Sequence, residues 1–275
     1  MKEVFSLGHI HIYLFGITAA IGILTGILLA SKEAKRLGVS EDPFFDVVIF
    51  AVIGGIIGAR LVHVLVYEPS YYLANPLEII YIHNGGLSIH GAILGGVLLG
   101  LWRIKKHRLS LWKIADIIAP ALILGQAIGR IGCDIFGVPM IGAYPWGVNV
   151  NGTLVHPVQV YEFILDYLLF AYLWTKRYSS RYQGQIFVHY LIGFSIIRGF
   201  VEYFRTDPTV FGFVSVAYLL SFAGIVAGLI IYQYLKNRYP LKQNSHNKVL
   251  PAIYTYLISL IMIIVSVVIY YLVQG

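Results

Sequence analysis

Long apolar runs constrain this chain more than any other feature in it. Eight of them, at about 10–30, 45–66, 87–102, 112–129, 158–175, 185–204, 211–235 and 250–273, carry little charge. Runs of about 20 apolar residues are what an α-helix needs to cross a hydrocarbon core. The chain is 58% hydrophobic and only 12% charged, whereas a soluble domain averages about 25% charged residues. A water-soluble fold is therefore excluded, as are disorder and collagen. A single cysteine, Cys133, excludes a disulfide scaffold. The expectation is an all-α polytopic membrane protein with about eight transmembrane helices, the third and fourth short and rich in glycine. The first run is too long for a signal-peptide core, and no small-residue cleavage site precedes Lys32, Lys35 and Arg36, so it is expected to remain as an anchor.

Basic residues set the orientation. Alternate connections carry Lys32, Lys35 and Arg36; Arg103, Lys105, Lys106, Arg108 and Lys113; Lys176, Arg177 and Arg181; and Lys236, Arg238, Lys242 and Lys248, which together make fifteen of the 20. The other five, Lys2, Arg60, Arg130, Arg198 and Arg205, fall on the opposite side or in the outward half of a helix. Basic loops stay cytoplasmic, so both termini are expected outside. The net charge of +7 is then a topology signal rather than a sign of nucleic-acid binding, with attraction to anionic lipid as a secondary effect.

Placed by depth, the unusual polar residues gather at the outer face: Arg60, His63, His90, Arg130, Asp134, His156, Glu162, Arg198, Glu202 and Arg205. A charge within a membrane helix is costly and marks a candidate functional site. Arg198, Glu202 and Arg205 have i, i+4, i+7 spacing, which stacks them on one helix face and lets Glu202 pair with either arginine. They serve either as a site or as a clamp between helices. In 84–96, NGGLSIHGAILGG, His90 lies among glycines that permit close backbone approach, to a neighbouring helix or to a ligand. It is either a packing histidine or a reactive one. Arg130 opens 129–142, GRIGCDIFGVPMIG, a glycine-punctuated non-helical stretch. Guanidinium groups bind phosphate oxygens bidentately, so Arg130 and Arg198 together suit a lipid phosphate, whereas a lone Arg130 suits snorkelling equally well. In the next segment, Tyr144, Pro145, Trp146 and Gly147 form an interfacial turn, and His156-Pro157 leads into a helix bearing Gln159, Tyr161 and Glu162 in its first two turns.

Other chemistries find no support. His9 and His11, or His83 and His90, come with no cysteine cluster and no HExxH, so no metal is expected. There is no GxSxG, Walker sequence or GxGxxG fingerprint. Cys133 reads as an inert buried thiol, and the halves of the chain show no transporter-like repeat.

The segments GGLSIHG at 85–91, GRIG at 129–132, YPWGV and HPVQVYE at 144–148 and 156–162, and RGFVEYFR at 198–205 resemble the prolipoprotein diacylglyceryl transferase family of bacterial plasma membranes. The likeness extends from the first helix to the seventh. It implies transfer of a diacylglyceryl group from phosphatidylglycerol, or another anionic phospholipid, to the lipobox cysteine of a prolipoprotein signal peptide, with release of glycerol phosphate. By the same likeness His90, Arg130 and Arg198 are the expected catalytic residues. Substrate binding falls to Arg130, Arg198, Glu202, Arg205, Gly85, Gly86, Ser88, Gly91, Gly129, Gly132, His156, Gln159, Tyr161 and Glu162. This chain departs from the family pattern at Cys133-Asp134, where asparagine and phenylalanine are usual, at Val138 in place of an acidic residue, and at Phe15 in place of tyrosine. It also has an eighth apolar run, so it reads as a diverged member.

The chemistry suits the residues. A cysteine thiol, with an ordinary pKa near 8.5, must lose its proton to attack carbon, and a base such as His90 or an electropositive surrounding promotes this. A developing phosphate monoester needs paired donors, the part assigned to Arg130 and Arg198, with Glu202 orienting Arg198. His90 takes the proton or orients the lipid; both roles fit. No soluble cofactor or metal is implied, and no nucleic acid. Two alternatives use the same arginines: a membrane transferase or hydrolase with another acceptor, and an anionic-lipid transporter or flippase. The expected organisation is a transferase-like core over 1–235, with 129–157 its main outer loop, and a basic cytoplasmic loop plus an extra helix over 236–275.

Overall fold

The computed structural model describes residues 2–7, 10–81, 85–206, 208–212, 214–241 and 252–274. His9, His83, Asn84, Lys242 and Lys248, which enter the sequence reading, lie outside the described residues.

The chain is mostly helical, and each of the eight apolar windows contains a helix. In chain order, and with the short α3 (Pro69–Ala74) lying between two of the windows, the helices are α1 (Leu14–Arg36), α2 (Glu41–Val62), α3, α4 (Ile89–Lys106), α5 (Leu111–Arg130), α6 (Val158–Lys176), α7 (Gln185–Glu202), α8 (Val216–Arg238) and α9 (Ala252–Gln274). Among the described residues, five helical segments are long and apolar enough to cross a membrane: Leu14–Arg36, Glu41–Tyr67, Leu111–Arg130, Val216–Arg238 and Ala252–Val273. The other three long helices are more polar, since α4 ends in Arg103, Lys105 and Lys106, α6 holds Glu162 and Asp166, and α7 holds Arg198 and Glu202. The fold is not purely helical. Short antiparallel hairpins pair β1 (Glu3–Leu7) with β2 (Ile10–Tyr13), β3 (Val148–Val150) with β4 (Thr153–Val155), and β5 (Thr209–Phe211) with β6 (Val214–Ser215). The first helix therefore begins at Leu14 rather than near residue 10, because 10–13 pairs with β1.

Two compact units emerge, Ser31–Ile114 and the combination of Met1–Ala30 with Ala115–Gly275. In the smaller, α2 and α4 meet glycine against glycine. A Cβ added to Gly58 would strike the carbonyl oxygen of Gly91, and one on Gly95 would strike that of Gly54. Backbones brought this close gain packing that lipid cannot supply. Towards the basic end of α4, Asp46 accepts from Arg103 at 2.6 Å and lies 2.5 Å from the His107 ring.

The larger unit has a core of α5, α6, α7 and α9, in which Ile123, Ala127, Phe163, Tyr167, Ile186 and Tyr270 are buried. Asp116 accepts hydrogen bonds from Gly184 N at 2.7 Å and Phe187 N at 3.0 Å, which satisfies donors at the start of α7. The β3–β4 turn is Asn151-Gly152, both with positive φ (52° and 84°) as a two-residue type I′ hairpin requires.

Candidate functional site

Within the larger unit, three chain segments converge on two arginine–glutamate pairs. Arg130, the last residue of α5, bonds Glu162 of α6 at 2.8 Å, and Glu162 is only 1% exposed. Arg198 bonds Glu202 one turn further along α7 at 2.7 Å, with Arg205 Nε 3.6 Å from the same carboxylate oxygen. Ser215 also donates to Glu202. Buried carboxylates of this kind are tolerated only when paired and hydrogen-bonded.

The stretch after Arg130 ties these elements together through its backbone. Gly137 N donates to His156 O at 2.9 Å, Val138 N to Phe204 O at 2.8 Å, and His156 N to Val138 O at 3.1 Å. Residues 137–139 thus bridge the start of α6 and the end of α7. Gly137 is required there, because a Cβ would overlap Phe204 O and lie 2.6 Å from Val158 Cγ1. Gly132 is similarly hemmed in by Leu14 and Thr18. Gly129 O accepts from Thr18 Oγ1 at 3.2 Å.

The polar residues at the start of α6 face one another. Tyr161 OH accepts from Trp146 Nε1 at 3.1 Å and bonds His156 Nδ1 at 3.0 Å, while the Phe204 ring lies tilted against His156 and edge-on to Tyr161. Gln159, 2% exposed, donates to Cys133 O at 3.0 Å and accepts from Tyr270 OH at 3.3 Å. Arg130 Nη1 lies 3.7 Å from Cys133 Sγ. A small cavity of about 170 Å³ is lined by Phe15, Cys133, Asp134 and Ile135, three of them positions where the sequence departs from the family pattern.

Sequence reasoning missed Asp166. It is fully buried (0% exposed) one turn beyond Glu162, with neither carboxylate oxygen hydrogen-bonded among the described residues. The i, i+4 spacing from Glu162 was the available signal.

In the smaller unit, Gly85, Gly86, Ser88, His90 and Gly91 lie where the chain enters α4. His90 is exposed in the first turn, and Ser88 N donates to Ala59 O at 3.0 Å. Gly91 packs on Gly58. Arg60, 5% exposed, holds the preceding loop by donating to the carbonyls of Ile79 (2.9 Å), Gly85 (2.7 Å), Gly86 (2.9 Å) and Glu78 (2.5 Å). Gly86 has φ 73°, and a Cβ there would come 2.7 Å from Arg60 Nη1.

A multi-pass helical membrane protein with buried arginine–glutamate pairs at the ends of its helices is the class these observations define. The sequence profile of the prolipoprotein diacylglyceryl transferase family matches residues 2–234, so the chain belongs to that family. Among similar proteins, the phosphatidylglycerol–prolipoprotein diacylglyceryl transferase of Clostridioides difficile is 39% identical over 248 residues, 90% of this chain and 98% of that one. Proteins of the same name from Bacillus cytotoxicus and Bacillus cereus are 37% and 36% identical over 238 residues, 82% of this chain and 88% of each.

Proposed function

We propose that this protein transfers the diacylglyceryl group of phosphatidylglycerol to the lipobox cysteine of a prolipoprotein signal peptide, forming a thioether and releasing glycerol phosphate. The relatives' names supply the donor and the class of acceptor. The observation that carries the reading to particular residues is the convergence of Arg130–Glu162 and Arg198–Glu202 on one backbone-tied segment. Before substrate binds, each arginine is held by a carboxylate. An entering phosphodiester offers bidentate acceptors to the same guanidinium groups, and the charge that develops on the leaving phosphate strengthens those bonds.

His90 then serves as base for the thiol or as a guide for the lipid, and Arg205 supports Glu202 at the oxygen that Arg198 also contacts. Gly85, Gly86, Ser88 and Gly91, with Gly129 and Gly132, let backbone approach the lipid. His156, Gln159, Tyr161 and Glu162 complete the binding residues. We place the protein in a bacterial plasma membrane with eight spans, both termini outside and the site towards the outer leaflet, the core being 1–235 and the added loop and helix 236–275. Support for this topology comes from the larger unit, where Lys2 donates to Val273 O and Tyr271 OH to Trp146 O, so Lys2 meets the last turn of α9, which in turn meets the segment that precedes α6.

The test is a transfer assay with purified protein, labelled phosphatidylglycerol and a lipobox peptide. Thioether-linked diacylglyceryl peptide from the wild type, absent from Arg130→Ala and Arg198→Ala, is the expected result. A folded wild type that binds lipid and forms no product would refute the reading in favour of another acceptor or of transport.

A further inference from the structure

Helix α9 lies beyond the residues that the family profile matches, 2–234, yet it reaches the candidate site. Tyr270 is fully buried (0% exposed), with its ring edge-on to Phe163, and its hydroxyl donates to Gln159 Oε1 at 3.3 Å. The other end of that amide, Nε2, donates to Cys133 O at 3.0 Å. Cys133 closes the turn that follows α5, its N bonded to Arg130 O at 3.2 Å and its sulfur facing Arg130 Nη1. A continuous hydrogen-bonded path thus runs from α9 through α6 to the residue that flanks the Arg130–Glu162 pair.

We propose that Tyr270 is a positioning residue for Arg130, acting through Gln159 and Cys133. The physical reason is the asymmetry of an amide. Gln159 has an acceptor at one end and donors at the other. With Tyr270 donating to Oε1, Nε2 must point to the Cys133 carbonyl; the reversed amide would set two oxygens against each other there and leave the Tyr270 hydroxyl without an acceptor. The hydroxyl selects the orientation that pins the turn, and the turn sets where the Arg130 guanidinium lies. Tyr271 and Val273 add two more ties at the same end, to Trp146 O at 2.5 Å and to Lys2. The eighth apolar run is therefore a part of the site as well as a further span.

The same helix pair contains a matched control. Tyr167 of α6 bonds Ser266 of α9 at 3.0 Å, also buried, with no link to Gln159. Tyr270→Phe and Tyr167→Phe each remove one hydroxyl from the α6–α9 interface and keep the ring.

The first readout needs no activity: the rate at which N-ethylmaleimide alkylates Cys133, the chain's single cysteine, in purified full-length protein. A buried thiol reacts through local opening, so losing one buried hydrogen bond on its turn should speed alkylation about fivefold in Tyr270→Phe and leave Tyr167→Phe at the wild-type rate. Gln159→Met should react at least as fast, and adding Tyr270→Phe to it should change nothing, because the two act in series. The second readout rests on the transferase reading: Tyr270→Phe should lower kcat for thioether formation several-fold with KM for phosphatidylglycerol unchanged, while Tyr167→Phe keeps both. Equal alkylation rates in the two tyrosine variants, or additive effects in the double variant, would overturn the proposal. A difference in alkylation with no product from the wild type would leave the positioning role standing and refute the transferase reading instead.

Discussion

The α2–α4 contact of the smaller unit and the α5–α6 contact at Arg130 in the larger are made by different means. In the smaller, α2 and α4 meet through Gly54, Gly58, Gly91 and Gly95, with no side chain between the backbones. In the larger, the ends of α5 and α6 meet through the Arg130–Glu162 ion pair, and the end of α7 carries its own pair, Arg198–Glu202, one turn apart. Glycine contact is sensitive to volume and indifferent to charge; the ion pairs are the reverse. The first suits a rigid support and the second a place where an anionic ligand exchanges with a carboxylate.

The largest effect should come from charge. Arg130→Ala should reduce thioether formation by more than about 100-fold, the scale for losing a preorganised donor to a developing anion. Arg130→Lys should recover little, since an ammonium lacks the planar fork. Retention of most activity in either variant would move the phosphate contact away from Arg130. Next comes volume: Gly58→Leu, which drives a side chain towards Gly91 O, should lower the thermal midpoint in detergent by several degrees or prevent recovery of folded protein, overpacking costing about 1–3 kcal/mol. If Gly58→Leu melts like the wild type, close glycine packing is not what holds α2 to α4. A milder effect is expected for Glu202→Gln, which keeps shape and removes charge. It should raise KM for phosphatidylglycerol or lower kcat about tenfold, because an unheld Arg198 costs roughly one to two kcal/mol of positioning. Smallest is Ser215→Ala, which deletes one of the partners of Glu202 and should slow transfer about twofold to fivefold. A Ser215→Ala effect as large as that of Glu202→Gln would mean that the hydroxyl, rather than the arginine, holds the carboxylate.

What could be read in the sequence follows the distance over which each interaction acts. The eight long helices were legible because apolar length is a local property, whereas the six-residue α3 was not, and α6 starts just after Pro157 as its place in the sequence suggests. The Arg198–Glu202 pair was equally legible, since i, i+4 spacing on one helix leaves little freedom. Arg130–Glu162 was not, because the partners lie 32 residues apart and only the folding back of residues 137–156 brings them together. The β3–β4 hairpin carried a signal in Asn151-Gly152 between β-formers, which the long apolar runs on either side obscured. Asp166 was hidden in another way, its i, i+4 spacing from Glu162 being masked by the apolar residues around both. The link from Tyr270 to Gln159 spans 111 residues and involves a helix outside the motifs altogether.

Arg60 draws a further line between the units. Carbonyl lone pairs that helix and strand hydrogen bonds leave unfilled ordinarily need water, and at the edge of a bilayer water is scarce. Here a guanidinium takes the place of that water, spreading its donors over the carbonyls of residues 78, 79, 85 and 86. The approach to His90 thus carries an internal solvent made of protein and fixed in place, whereas Arg130 and Arg198 spend their donors on carboxylates.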